Sequence, residues 1–560
     1  MKLYRRLLTL ALCAALTLGF APTADAAASV RVTLPAFPVT LCNQTIDPRN
    51  EEYPFLVYKD ITYLPLTYFG CRLMGLYAKW SWETGLIVSD AGAKGAYQST
   101  PRVSRNSGTL YAQKATGAIT ICNKVIENNK EEYPFLLFRD VTYLPMTWAN
   151  MHDLLGCDYR WDAKNGLVID RAGDANASAL YLPIYRDDAG SVAGSIAAWR
   201  GWFWYQDDAG WISRTSMAGG EREKLFELPI NDGYSDLPVW ASLSVRNDAL
   251  YMTYHIGGAI MGHDETYRFN EDGTYVSLSG SSGPVGEFGD LWLRAESSLM
   301  PRPDNLQVSR DKGATWERFG DANYIYGWAY HQDAAGGAQA SRTMGEILGG
   351  DGRYAYLLAT DATGWGAAEP DADGAYRELY SRVSRVDLAT GETTQLGARP
   401  ANRFIKAGGM LWYTDFDGKL WSCRLDGREN SSVWYDADAS LERFDFEQAT
   451  VQMFASNGER GYAALTVPFH VQGGAGVEPH DEATTCLAML EGGQGVVLLA
   501  NIGAVRSMTA EDGWLTVLTV RENGEMALYV LRDGTLVYQN SGPDYLAAGI
   551  SGGKLYYVLR

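Results

Sequence analysis

Histidine is the scarcest reactive side chain in this 560-residue sequence, with only His152, His255, His263, His331, His470 and His480 present. No two of them form an H-x-H pair, and no C-x-x-C or Cys/His spacing marks a zinc site, so neither a copper nor a zinc centre is expected. His255 and His263 flank the glycine-rich stretch IGGAIMGHDE, where exposed or hydrogen-bonded loop histidines are the default reading over a ligand pair. Asp415 and Asp417 stand beside a turn, but two carboxylates fall short of the six or more oxygens that calcium takes. Nucleophilic chemistry has no signature either. G-x-S-x-G is absent, Gly280-Ser281-Ser282-Gly283 reads as a loop, and no glycine-rich phosphate loop opens a helix. The inserts 364–376 and 469–484 are the expected places for binding residues, since loops carry function on rigid scaffolds. No catalytic, cofactor-binding or metal-binding residue is assigned, and no cofactor is expected.

Residues 1–26 read as a secretory leader: Lys2, Arg5 and Arg6, an apolar run from Leu7 to Phe20, and the small-residue exit Ala24-Asp25-Ala26. The run is too short for a membrane anchor, and Cys13, following the bulky Leu12, is poorly placed for lipidation. No other long apolar run and no sortase-type tail appears, so a secreted or cell-surface-associated protein without a transmembrane segment is expected. Losing three cations and one acid with the leader takes the formal charge from −19 to −21, which argues against nucleic acid as a partner. Six cysteines remain: Cys42, Cys71, Cys122, Cys157, Cys423 and Cys486. The pairings Cys42–Cys71 and Cys122–Cys157 compete with buried free thiols.

One stretch is written twice. Glu51–Phe69, EEYPFLVYKDITYLPLTYF, returns eighty residues later as EEYPFLLFRDVTYLPMTWA, with 12 of 19 positions identical, so the repeat defines the folding unit. Its invariant positions include Tyr53, Pro54, Tyr63, Pro65 and Thr67, and their counterparts Tyr133, Pro134, Tyr143, Pro145 and Thr147. Each copy predicts a first strand (39–42, 119–122), then a hairpin around Lys59-Asp60 or Arg139-Asp140. That turn lacks the Gly or Asn that tight primed turns prefer. Thr67 and Thr147 are placed to cap a short helix that Gly75 and Gly156 stop. A closing hairpin follows, with Trp80/Trp161 and Gly85/Gly166 aligned and the offset risen to 81, one residue having entered the second helix region.

The elements Leu64-Pro65-Leu66 and Leu144-Pro145-Met146, Trp80-Ser81 and Trp161-Asp162, and Leu86–Val88 and Leu167–Ile169 resemble the small domain named after the N-terminal region of copper amine oxidases, common in tandem on exported bacterial surface proteins. The resemblance implies two α+β copies, 30–92 and 111–172, joined by a linker at 93–110. The family usually places Arg after the Pro pair, where this chain has Thr67 and Thr147. Oxidase chemistry is not implied: the histidines form no copper set, and Ile325 replaces the acidic residue of the quinone motif in Asn323-Tyr324-Ile325-Tyr326.

After Gly173, Trp/Tyr-rich strand signals recur between Asp-Gly and Gly-Gly turns, the pattern of a barrel, sandwich or propeller. Over 179–560 the length suits a β-propeller, with seven blades favoured and six to eight admissible. Segments begin near 179, 236, 286, 345, 398, 445 and 502, and the terminal LYYVLR would complete the blade begun by ALYLPIYR. Trp412, Tyr413, Thr414 and Asp415 resemble a blade of the YWTD-type propellers. Ser309, Asp311, Gly313, Thr315 and Trp316 match the Asp-box, S-x-D-x-G-x-T-W, which implies a structural hairpin rather than a site, since a fold marker does not assign function. Sialidases carry that box, but no arginine triad is marked by position here.

The expected fold is thus mainly β, two small α+β domains in tandem followed by a propeller. The leading functional expectation is an exported, non-catalytic surface or extracellular recognition or scaffold protein. Its propeller would be the binding platform and its front pair spacer or envelope-contact modules, with a cell-envelope glycan or a surface protein as partner. The competing expectation is a carbohydrate-active, sialidase-like propeller enzyme. Three arginines converging with a Tyr–Glu pair would mark it.

Overall fold

The structure, a computed structural model, describes residues 29–560 except 43, 92–93, 95–99, 103, 108, 163–165, 172–176, 187–191, 193–194, 232–235, 247, 259–261, 279–284, 297–300, 334–335, 343–345, 351, 364–376, 429 and 473–477. The leader, Cys13, the Gly280–Gly283 loop and the 364–376 insert lie outside the described residues. The chain is mainly β and divides into two compact units, Met1–Ala175 and Asn176–Arg560. No helix among the described residues is long and apolar enough to cross a membrane.

The two repeats are interlocked. Six strands run in the order Ser29–Val32, Leu110–Lys114, Leu136–Phe138, Val141–Pro145, Ile61–Pro65 and Leu56–Tyr58. Reciprocal bonds between Thr33 and Val57 join the last to the first, closing a barrel. That bridge is the counterpart of the Gln113–Leu137 pair in the second copy. Outside the barrel the copies also exchange strands: Gly85–Asp90 pairs in parallel with Ile119–Ile121, and Gly166–Arg171 with Val39–Leu41. One core accordingly draws on both copies, from Val39 and Leu64 to Ile121 and Leu144. The expected 93–110 linker is docked in part, with Arg102 and Asn106 donating backbone N–H groups to Asn50 and Arg49.

Local expectations fare differently. Lys59, Asp60, Arg139 and Asp140 all take left-handed backbone angles, φ 50–63°, so the primed hairpin turns form without glycine. Thr67 Oγ1 accepts from Gly70 N at 3.1 Å and Thr147 Oγ1 from Asn150 N at 3.3 Å, the capping expected of a threonine there. The first copy then forms the α-helix Tyr68–Leu73, whereas the second forms the π-helix Ala149–Leu154. The extra residue is absorbed as a wider turn, as π-bulges do. All six cysteines are free thiols, so neither expected disulfide is present.

Unit two holds nine sheets among the described residues. Eight follow one another as the blades of a ring, one more than the seven favoured from sequence. The ninth joins Ala338–Arg342, Trp328–Gln332 and Leu379–Tyr380, which alternate along the chain with the strands of blade four. Blade one spans Ala197–Trp199 to Glu223–Glu227, blade two Ala241–Arg246 to Tyr275–Ser277, blade three Gly286–Phe288 to Glu317–Arg318, and blade four Leu348–Gly349 to Thr393–Gln395. Blade five runs from Arg403–Ala407 to Ser431–Ser432, blade six from Thr450–Ser456 to Gln494–Ala500, and blade seven from Ala504–Glu511 to Thr535–Ser541. Blade eight joins Tyr545–Ser551 and Lys554–Leu559 to Ala177–Leu180, which pairs in parallel with the terminal strand. The miscount has a simple cause. Blade one has four strands of its own, so the chain ends build an additional sheet rather than complete it. First strands touch between blades one and two, three and four, five and six, six and seven, and eight and one, which places them at the axis of the ring. Aromatic and aliphatic clusters between sheets hold it together, such as Trp204, Met252 and Phe269 between blades one and two.

Candidate functional site

Most residues singled out by the sequence serve the fold. In blade three, Asp311 accepts from Thr315 N at 2.8 Å and Thr315 Oγ1 at 2.6 Å, and Ser309 Oγ donates to it at 2.8 Å. These bonds favour the carboxylate, pulling Asp311 down to about 2. Gly313 sits at φ 93° with its N–H on Ser309 Oγ, and Trp316 Nε1 donates to Gly313 O at 3.1 Å. The hairpin comprises the two outer strands of its blade. Trp412, Tyr413 and Thr414 are buried in the second strand of blade five. Asp415 accepts from the backbone of Asp417 and Lys419 and from Trp421 Nε1. That carboxylate closes a turn and is not held open for calcium.

In the repeat unit, Tyr63 and Tyr143 lie in the barrel interior, wholly buried. Tyr63 pairs with Pro145 and Tyr143 with Pro65 across the two copies. Tyr53, Pro65 and Thr67 line a small cleft beside Glu51 and Phe69, with no charged cluster to carry a reaction. Tyr133, Pro134, Pro54 and Thr147 likewise belong to the hairpin and cap scaffold. His255 and His263 do not converge. The ladder sets His255 opposite Asp264 and His263 opposite Ile256, hence on opposite sheet faces. Each bonds its own carboxylate, Asp264 at 2.8 Å and Glu265 at 3.0 Å. Among the described residues no three His, Cys, Asp or Glu groups are arranged to hold a metal.

The axis of the ring brings together what the sequence keeps apart. Glu346 enters from the start of blade four, Arg246 from the end of the first strand of blade two, and Arg403 from the first residue of blade five. Arg246 Nη1 lies 3.8 Å from Glu346 Oε1, and its Nε reaches Ser244 Oγ at 3.4 Å. Arg403 acts on Glu346 electrostatically and donates to Gln452 O at 2.6 Å. Lys406 Nζ donates to Gly349 O at 2.6 Å, fastening blade five to blade four. Beside Arg246, Tyr251 is clasped to Val285 of blade three, and Arg268 forms a forked pair with Glu287.

Glu346 keeps about a third of its side-chain surface open to water, yet protein surrounds it closely enough for desolvation to dominate. Its carboxyl is raised to about 7, despite two arginines that pull the other way. Desolvation also lowers the Arg246 guanidinium from its usual value. A carboxyl poised near neutrality, reachable by water and flanked by two cations can take up or release a proton during a reaction. Sequence reasoning missed it, since Glu346 stands in the plain stretch Thr343-Met344-Gly345-Glu346-Ile347 and becomes unusual only when three blades meet. Among the described residues Arg246 and Arg403 act on it, where a sialidase grip uses three arginines.

No family model matches the chain, and no curated protein matches it. Solved structures similar to it include Pyrococcus horikoshii acylaminoacyl peptidase, 13% identical over 57% of this chain and 49% of that one, TM-score 0.34. Porphyromonas gingivalis dipeptidyl peptidase 4 is 11% identical over 64% and 60%, TM-score 0.31. Oligogalacturonate lyase from Vibrio parahaemolyticus is 10% identical over 55% and 85%, TM-score 0.29. Two peptidases and a lyase stand where a binding platform was expected, which overturns the non-catalytic recognition or scaffold reading. The likeness is one of fold and assigns this chain no substrate.

Proposed function

We propose that the propeller is an enzyme whose proton-transfer group is Glu346, acting at the ring axis in a hydrolysis or elimination. The observation that carries this is the Glu346 carboxyl near 7 beside Arg246. At neutral pH it is present in both protonation states, the condition under which one group serves as acid or base. Arg246 and Arg403 would orient the substrate and offset negative charge that develops as a bond breaks. Around this centre the propeller supplies rigid walls from three separate blades, which favours fixed geometry over adaptation.

The test is a chromogenic panel of neutral glycosides, glycosiduronic acids and peptide anilides, run on the full chain. At least one member is turned over by the wild type, and Glu346→Gln lowers that rate by about 100-fold or more, at an unchanged melting midpoint. An inert wild type across the panel, or a Glu346→Gln variant as fast as wild type, removes the proposal. We also propose export, supported by the leader pattern of residues 1–26. The front unit is proposed to be of the copper amine oxidase N-terminal-like kind, supported by the paired Leu-Pro and Trp elements.

A further inference from the structure

We propose that the axial site binds an oxyanion, the carboxylate or phosphate group of a ligand, seated between Arg246 and Arg403 beside Glu346, and that binding draws up to one proton from solvent onto Glu346. This deepens the enzyme reading and rests on it only for the location of the site.

The charge balance around the axis is unequal. Arg246, and the more exposed Arg403, both act on the Glu346 carboxyl, which is only partly ionised at neutral pH. Arg268 is already matched by Glu287 through two bonds, and Tyr251 is neutral, clasped to Val285 and pushed up to about 12 by burial. Lys406 adds a further cation, its ammonium turned to Gly349 O. Around Glu346 these cations therefore outnumber the ionised carboxylates, inside a chain whose formal charge is −19. The carboxyl of Glu511, at the end of blade seven's first strand, stands among a different set of charges, Asp512, Asp248 and Arg200. A positive, partly desolvated surface concentrates small anions against the overall field. Guanidinium groups suit oxyanions in particular, because their planar N–H forks match two oxygens at once. Arg246 reaches Glu346 only at 3.8 Å, beyond hydrogen-bond length, which leaves its fork able to turn to a better acceptor.

The proton follows from the same arrangement. In the free site the two arginines hold the Glu346 pKa below where desolvation alone would set it. An oxyanion between them cancels that pull and adds a like charge beside the carboxyl, so the pKa rises above 7. The bound state then holds more protons than the free state. Affinity is highest below the free-site pKa, falls as pH rises from that value to the bound-state pKa, and levels off above it. A protonated Glu346 beside a bound anion is also the form able to give a proton to a leaving group.

Titration calorimetry on the full chain tests this with D-glucuronate, an N-acetylated amino acid and inorganic phosphate as separate probes, and glucose as the neutral control. Whichever anion binds best identifies the source of the oxyanion. Its affinity drops by up to about tenfold per pH unit above about pH 7, with proton uptake read from the dependence of heat on buffer. Arg246→Gln and Arg403→Gln each weaken binding about tenfold or more, while Arg403→Lys, which keeps the charge, loses less. Glu346→Gln, a mimic of the protonated form, still binds and loses the pH dependence, so this result stands apart from turnover. The proposal is overturned if no anion binds, if glucose binds as well, if both Gln variants at the arginines match wild type, or if affinity is flat from about pH 6 to about pH 8.

Discussion

The repeat unit and the propeller both multiply a small β motif, but they connect the copies in opposite ways. In the repeat unit each half completes the other: strands pair across the halves in the barrel and again in parallel outside it. In the propeller each blade keeps its own ladder and meets its neighbours through side chains. Mutual pairing places equivalent residues together, as with Tyr63 and Tyr143 in one barrel interior. Radial packing places unlike residues together, as with Arg246, Glu346 and Arg403 at one axis. The first device yields a filled, cooperative body. The second yields a wall on which charge can be composed from distant parts of the chain, as in other architectures whose repeats contact only their neighbours.

If that contrast is right, damage to the repeat unit spreads and damage to a blade stays local. The largest effect is expected at Arg171, which is 9% exposed. It donates to Leu155 O, Met74 O and Gly75 O, carbonyls that follow both helical turns, and pairs with Asp90 at 3.0 Å. Arg171→Met strands those acceptors and costs about 4 kcal/mol. Hydrogen exchange should show lost protection throughout residues 29–171 and unchanged rates in the propeller. Protection lost in the second copy alone would mean that the halves are independent. Next come Gly85 and Gly166, at φ 71° in both copies. A Cβ there would meet Ala118 O at 2.2 Å or Pro38 O at 2.1 Å, at the points where each half receives a strand of the other. Gly85→Ala or Gly166→Ala should each cost about 2–3 kcal/mol, read as a lower unfolding midpoint of that unit.

What the sequence disclosed follows from how far apart the interacting residues stand. The hairpin at Lys59-Asp60, the threonine caps and the extra residue in the second helix are local, and each is visible as a short pattern. The exchanged strands are not, because Leu86 and Ile119 carry the same apolar signal whichever half they join. The eighth blade was hidden by the split between the chain ends. Glu346 was hidden more deeply, since nothing in its own segment departs from an ordinary strand entry. Its titration is set by residues from other blades.

Two smaller effects sharpen the contrast. Neither the Tyr63 nor the Tyr143 hydroxyl has a hydrogen-bond partner among the described residues, an arrangement that costs stability in an apolar interior. Tyr63→Phe and Tyr143→Phe keep the rings and remove those hydroxyls, so each should be neutral or stabilising by about 1 kcal/mol. A loss of that size by chemical denaturation would instead place a bonding partner inside the barrel.

The smallest and most confined effect belongs to Asp311. Its carboxylate gathers Thr315 N, Thr315 Oγ1 and Ser309 Oγ, and its folded-state pKa is lowered from 3.8 to about 2. A depressed carboxyl contributes stability above its unfolded pKa and loses it as pH falls through the folded value. The hairpin should therefore loosen on acidification between about pH 4 and about pH 2, while Asp311→Ala is already loose at neutral pH and shows no further change over that window. Because the hairpin is the outer pair of strands in one blade, amide exchange should rise over residues 306–318 and stay level in blades two and four. Exchange spreading to the first strand of blade three and on to Arg246 and Glu346 would show that a blade transmits damage to the axis. The radial half of the comparison would then fail.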